Sequence, residues 1–277
     1  MIPAAFDYEL AESADHALEL LGQHGDEAKL LAGGHSLLPL MRMRLAAPSL
    51  LVDIGRLGEL SYVRDGGDHL ALGALTTHHD LHVNDLLNQQ GPLLAHTIGE
   101  IGDPQVRHRG TIGGSVAHGD PAADVPAVLL ALGATLVARG QGGEREIAVD
   151  DFFQGLFTTA LEDTELLTEI RVPKHPGQGW SYKKFNPRAQ DWAVVGAAAL
   201  VDGANGSAVV TLTNMGERPL RATAVEQALA AGADPAAASQ HAAEGTSPPS
   251  DPLGSAEYRR GIAPVLVRRA LEEALGR

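Results

Sequence analysis

Twice in this chain an apolar run breaks into two adjacent glycines with a serine close behind and a new apolar run after it. The stretches are "KLLAGGHSLLPLM", Lys29 to Met41, and "GTIGGSVAHGDPAADVP", Gly110 to Pro126. Glycine has no Cβ, so another chain or a ligand can approach the backbone and positive φ carries little penalty. At a strand-to-helix junction such a loop turns its N–H groups, and the positive end of the following helix, toward an anion. A buried diphosphate is the ligand that suits it. A lone Gly-Gly before a helix is usually a turn, whereas two loops of one form imply a single ligand held from two sides. Neither stretch matches GxGxxG, nor GxxxxGK followed by Ser or Thr, so a Rossmann nicotinamide site is disfavoured. The expectation is that Gly33 and Gly34 deliver amides with Ser36 adding a hydroxyl, and that Gly113, Gly114 and Ser115 repeat the design.

The surrounding pattern places both loops in mixed α/β structure. "SADHALELLGQHG" has helical spacing, with Ser13 as N-cap and Gly22 or Gly25 at its end. "AKLLAG" reads as a buried strand. "SLLPLMRMRL" reads as a helix capped by Ser36, with Pro39 tolerated in its first turn, and "SLLVDIG" as another strand. From about Arg56 the texture changes to short strands: a hairpin across Asp65 to Asp68, then a helical stretch from Thr77. Beyond the second glycine pair, Asp120 or Asp124 is expected to cap a helix that Gly133 ends. Strands follow at "ATLVAR", "REIAV" and "TELLTEIRVP", the last stopped by Pro173. A boundary is placed in "PKHPGQG". After it come strands at "WAVVGAAALV" and "AVVTLTNMG", an Ala-rich helix from Thr223, a mobile loop over 232–256 and an amphipathic helix at "APVLVRRALEEAL". The division expected is 1–55, 56–175 and 176–277.

Bulk properties remove several classes of function. The 277 residues suffice for more than one core. With 44% apolar and 20% charged residues the chain is that of an ordinary soluble protein. No secretory signal is read at the N-terminus, and no apolar run reaches bilayer length. A net charge of −14 with scattered basic residues argues against nucleic acid. Zero cysteines excludes disulfides, thiolate chemistry and iron–sulfur ligation by this chain. It also suits a cytoplasmic location.

Six motifs in order carry a resemblance over essentially the whole chain: "AGGHSLLPLMRMRL", "GALTTHHDL", "QVRHRGTIGGSVAHGDPAADVPA", "LLTEIRVP", "KKFNPRAQDWAVV" and "NMGERPLRATAVEQAL". The chain resembles the FAD-binding medium subunit of the molybdenum hydroxylase (xanthine dehydrogenase) family and, within it, the medium subunits of aerobic carbon monoxide dehydrogenases. The resemblance implies an α+β chain of the vanillyl-alcohol-oxidase (PCMH) type: two α/β subdomains that bind FAD and a small C-terminal α+β domain. It implies that Ala32, Gly33, Gly34, His35 and Ser36 in one loop, and Thr111, Ile112, Gly113, Gly114 and Ser115 in the other, wrap the FAD diphosphate. By the same carry-over Ile101 is an apolar contact, Asp124 a polar one, Leu167 a backbone one, and Lys184 a basic one near the flavin. His108 stands where relatives often have Asn, and Ser115 where many have Asn or Asp; both keep a polar side chain.

The implied partners are a small subunit with 2Fe–2S clusters and a large molybdopterin subunit, joined as a dimer of heterotrimers. In such a complex this chain passes electrons through FAD to an external acceptor, and no catalytic acid or base is expected in it. A histidine attaches flavin covalently in some relatives of the wider fold, and His35 is the candidate here, but the carbon monoxide dehydrogenase type implies non-covalent FAD. A stand-alone oxidase of the same fold and a flavin-free assembly subunit are the alternatives. His78 and His82 stand one helical turn apart; a solvated or loop-capping role is preferred over a metal pair. Lys183, Lys184 and Arg188 read from spacing alone as a surface charge run. Trp192 either shields the flavin or fills a domain interface.

Overall fold

The computed structural model describes residues 2–203 and 206–276. Its first part is a three-stranded parallel sheet. Asp7–Leu10 (β1) leads into helix Ala14–His24 (α1), whose start is capped by Ser13 accepting from the His16 amide and whose end is Gly25 at φ 54°. Ala28–Leu31 (β2) then precedes helix Leu37–Met43 (α2) and strand Leu50–Asp53 (β3), which lies central in the order β1-β3-β2. Parallel neighbours need crossover connections, which is why α1 and α2 sit between strands. Ala17, Leu18 and Leu21 of α1 bury against Leu50 and Val52, in a core completed by Leu60, Leu75 and Leu166 from later in the chain. The first sheet therefore closes on the second.

That second sheet is antiparallel. Val63–Asp65 (β4) and His69–Gly73 (β5) form the expected hairpin. Short helices follow at His78–His82 (α3), Asp85–Gln90 (α4), Pro92–Gly99 (α5), Pro104–Arg107 (α6) and Ile112–His118 (α7), then Asp124–Leu132 (α8). Thr135–Gly140 (β6), Gly143–Ala148 (β7), helix Val149–Phe152 (α9), the small pair Phe153–Gly155 (β8) and Thr158–Thr159 (β9), and Leu166–Pro173 (β10) complete it. The sheet order is β4-β5-β10-β6-β7. Its register shifts between Leu167 and Glu169 of β10, a bulge on the cleft side described below.

The last part is a four-stranded antiparallel sheet of Gly179–Phe185 (β11), Val195–Val201 (β12), Ala208–Thr213 (β13) and Leu220–Arg221 (β14), with helices Thr223–Ala230 (α10), Pro235–Ser239 (α11) and Ala256–Leu275 (α12). β12, "VGAAALV", is buried at every residue because α12 covers one face while α8 packs on the other. All nine residues of α8 are buried, since it lies between this sheet and the middle one; Thr211 Oγ1 donates to Ala127 O at 2.7 Å to fix it there. Its first residue, Asp124, is thereby carried deep between two layers.

Several local expectations fail for identifiable reasons. Residues 232–256 are not a plain loop: Asp234 caps α11 by accepting from the Ala237 amide at 2.8 Å, and Ala238, Ser239 and Ala242 bury against α12. That last helix starts at Ala256 rather than Ala263, capped by Ser255. Ser36 stands at the N-cap position of α2 but its hydroxyl makes no capping bond, because its backbone is already helical, at φ −104° and ψ −50°. Neither Asp120 nor Asp124 caps α8. Ala123 holds the cap position, Asp120 Oδ1 accepts from the Ala122 amide, and Asp124 turns inward.

Candidate functional site

The C-terminal end of β2, the start of α7, the start of α8 and the loop between β11 and β12 surround one cleft of about 700 Å³. Ala32, Gly33, Gly34, His35, Ser36, Ile101, Thr111, Gly113, Gly114, Ser115, Asp124, Leu167 and Lys184 all line it. Ile112 is the exception: it is fully buried and packs in the middle core beneath the loop. The two glycine loops touch. A Cβ placed on Gly33 would stand 2.0 Å from Arg109 O and 3.0 Å from Gly110 Cα, and one on Gly114 would face Ala32 Cβ at 3.9 Å.

Their backbones differ. Gly34 takes φ 77°, and the amides of Gly33, Gly34, His35 and Ser36 have no protein acceptor among the described residues. In the second loop nearly every amide is already spent. Ile112 N donates to Thr76 O at 3.1 Å and Gly113 N to Ala74 O at 2.8 Å. Gly114 N donates to Thr111 Oγ1 at 3.1 Å and Ser115 N to Thr111 O at 3.0 Å. Between Thr111 and Ser115 only the Thr111 amide has no acceptor among the described residues. The expected second set of phosphate-facing amides is therefore corrected. Gly113 is glycine for packing, since a Cβ there would stand 2.6 Å from Ala74 O, whereas Gly114 keeps the wall facing Ala32 thin.

Lys184 does not belong to a surface run. Its side chain is 4% exposed, and its ammonium donates to Asp124 Oδ2 at 2.8 Å and to Glu100 O at 3.2 Å, leaving one of three donors. Tyr182 donates to Asp124 Oδ1 at 2.6 Å. Burial pushes the Asp124 carboxyl up from its ordinary range while the Lys184 charge opposes it, and burial pushes the Tyr182 phenol up as well. Lys183, by contrast, pairs with Glu273, and the Arg188 side chain is 82% exposed.

His78 lines the cleft and is buried, not solvated. Its amide donates to Gly110 O at 2.9 Å, which ties α3 to the second loop. Burial, with the charge of Arg107 behind it, pushes its imidazole down to about 4, so it is neutral near pH 7; its Nδ1 has no partner. His108 stacks on His79 with ring centroids 3.8 Å apart, away from the cleft lining. Trp192 is half exposed and lines the cleft, so it does not fill a domain interface. Phe157, at φ 52° with its ring against His118, lines the cleft, and Tyr182 backs it from within through its bond to Asp124; sequence reasoning missed both because no spacing rule marks them, and it weighed His78 only as half of a metal pair against a solvated or loop-capping role.

These features fit a dinucleotide cofactor. The two glycine loops meet so closely that a Cβ on Gly33 would part them, four amides lack acceptors among the described residues, and the basic side chain is already neutralised, so backbone dipoles must meet the charge of a diphosphate. Fold and cleft together define a flavin-nucleotide-binding protein. Residues 4–175 match the family described as FAD binding domain in molybdopterin dehydrogenase, and residues 180–274 match the CO dehydrogenase flavoprotein C-terminal domain. The chain belongs to this family of molybdenum hydroxylase flavoprotein subunits, and FAD is its cofactor.

The carbon monoxide dehydrogenase medium chain of Hydrogenophaga pseudoflava is 41% identical, over 100% of this chain and 99% of that one. The 6-hydroxypseudooxynicotine dehydrogenase complex subunit alpha of Paenarthrobacter nicotinovorans is 40% identical, over 100% of this chain and 97% of that one. The solved carbon monoxide dehydrogenase from Hydrogenophaga pseudoflava that lacks the Mo-pyranopterin moiety of the molybdenum cofactor superposes with TM-score 0.96 at 42% identity, covering 100% of this chain and 99% of that chain. The fold is the PCMH type that the sequence implies. Among the described residues no helix is long and apolar enough to cross a membrane.

Proposed function

We propose that this chain is the FAD subunit of a carbon monoxide dehydrogenase-like molybdenum hydroxylase. It takes electrons from 2Fe–2S clusters of a small partner and delivers them to an external acceptor, while a large molybdopterin subunit oxidises the substrate. The complex is a dimer of heterotrimers in the cytoplasm. The observation that carries this reading is the single cleft in which the bare amides of Gly33 to Ser36 face the second glycine loop. Full-length similarity to subunits whose names place them in such complexes supports it. When bound, FAD exchanges one electron at a time with a cluster and two with an acceptor.

This chain's own residues bind and orient. Gly33, Gly34, His35 and Ser36 supply N–H groups to the diphosphate, and Thr111, Gly114 and Ser115 form the opposite wall. Ile101 gives an apolar contact and Leu167 a backbone one. The buried Asp124–Lys184 pair sets one N–H of Lys184 toward the flavin without adding net charge. FAD is held non-covalently. We assign the units as 1–55, 56–175 and 176–277, a division that the three larger sheets support.

Co-expression with the neighbouring small and large subunits tests the assignment. The expected result is a yellow-brown complex with one FAD per copy of this chain, and FAD that substrate reduces only when all three subunits are present. Reduction of FAD by a small organic substrate in the isolated chain points instead to a stand-alone oxidase. A colourless chain in a complete complex points to a flavin-free assembly role.

A further inference from the structure

The loop between β11 and β12 reaches from the C-terminal sheet into the cleft, where Gln190, Asp191 and Trp192 form part of its wall. Its tip makes hydrogen bonds within the loop itself, from Asp191 N to Arg188 O at 3.0 Å and from Asn186 Nδ2 to Asp191 O at 3.4 Å. The Asp191 carboxylate accepts from Arg188 Nε at 3.0 Å, but the Arg188 side chain is largely in solvent, where such a pair contributes little. The base of the same loop is held in another way. Ala193 and Val194 are fully buried, and their two consecutive carbonyls lie just before the β12 ladder begins.

Each of these carbonyls meets a buried side-chain donor from a different element. Asn214 Nδ2 donates to Ala193 O at 2.7 Å, and Arg259 Nη1 of α12 donates to Val194 O. Asn214 sits at φ 61°, a conformation asparagine tolerates better than most residues, and its own amide donates to Pro121 O at 2.8 Å. Pro121 follows Asp120, which lines the same cleft. One residue thus ties two walls together. Arg259 has no exposed surface, and its other nitrogen Nη2 donates to Asp251 Oδ2 at 2.6 Å. A buried guanidinium carries a desolvation penalty that an apolar residue packing in its place would avoid, so filling the core does not account for it. What it adds is direction: a fixed donor for one particular carbonyl.

We propose that Asn214 and Arg259 are positioning residues that hold the 190–192 arm across the mouth of the cleft and so govern how long the cofactor stays bound. Neither touches the cleft; each acts through the loop base. The inference rests on the assignment of the cleft to FAD.

The test uses the complex purified with its partner subunits and follows the appearance of free-flavin fluorescence after dilution, alongside thermal unfolding. Asn214→Gly keeps the backbone conformation and deletes the donor, and Asn214→Asp puts an acceptor against Ala193 O. Arg259→Leu removes the donor, and Arg259→Lys restores a charge and one donor. A hydrogen bond with net worth near 1 kcal/mol corresponds to about fivefold to tenfold faster release for Asn214→Gly, Asn214→Asp and Arg259→Leu, with Arg259→Lys closer to wild type. Trp192→Ala, which shortens the arm itself, is expected to speed release as well. If Arg259→Leu does not assemble, the two Asn214 variants and Trp192→Ala decide. Release at the wild-type rate in the assembled Asn214 variants, or in Trp192→Ala, overturns the inference. A wild-type complex without flavin absorbance overturns the reading of the cleft itself, a different and separately visible failure.

Discussion

The two glycine loops share a sequence form and do different work. At Gly33 and Gly34 the chain leaves β2 with its amides uncommitted, whereas at Gly113 and Gly114 the amides close onto Thr76, Ala74 and Thr111. The first loop offers donors and the second offers a rigid, thin wall. The contrast shows that a glycine pair marks where backbone comes close to something. Whether that something is a ligand or the protein itself depends on where each N–H points.

Gly33→Ala should have the largest effect. Its Cβ would meet the Arg109 carbonyl at 2.0 Å, backbone against backbone, so the loops must part. The expected outcome is more than about 3 kcal/mol of destabilisation and no retained FAD, read by denaturant unfolding and flavin absorbance. Retention of flavin at wild-type stability would abolish the distinction between the loops.

Acid should act next, and on the second loop, because His78 holds Gly110 O through its amide. The unfolded chain takes up a proton near pH 6.5 that the folded chain refuses until about 4. Stability therefore falls as pH drops through that window, by at most about 3 kcal/mol from this group. His78→Leu removes its share of the slope, and an unchanged pH profile in that variant would show that the imidazole is not held neutral.

Gly113→Ala comes third. Its Cβ presses on Ala74 at 2.5 Å, so α7 must shift off β5, at about 1–3 kcal/mol, but FAD remains bound in the folded fraction. Loss of FAD without loss of stability would give this glycine the role assigned to Gly33. The smallest effect belongs to Thr111→Val, which deletes the acceptor for Gly114 N and costs about 1 kcal/mol in thermal or chemical unfolding.

Much of the frame was legible because local rules sufficed. Ser13, Gly25 and Gly133 cap helices as their chemistry predicts, the hairpin turns across Asp65 to Asp68, and Pro173 ends its strand. Reading failed where the deciding neighbour was remote. Lys184 looked like one member of a charge run because its partner Asp124 lies 60 residues earlier. Asp124 looked like a cap because an acidic residue at a helix start usually is one; the uniformly apolar run after it marks a buried helix, but not that its first residue is carried between two sheets to meet Lys184. The Ala-rich stretch 232–256 looked mobile because small side chains show no periodic stripe, yet small side chains are what close packing on α12 requires.

By itself the sequence determined the glycine positions, the main strands and helices around them, the lack of any cysteine ligand and the resemblance to a flavoprotein family. Those depend on residue type and near-neighbour geometry, which one chain displays directly. Only the tertiary structure decided which amides remain without an acceptor, that Lys184 is neutralised by a buried carboxylate, and that Asn214 and Arg259 grip the base of a loop that lines the cleft. Each of these turns on the direction of a donor toward a group brought close by folding, and direction is not a property of position along the chain.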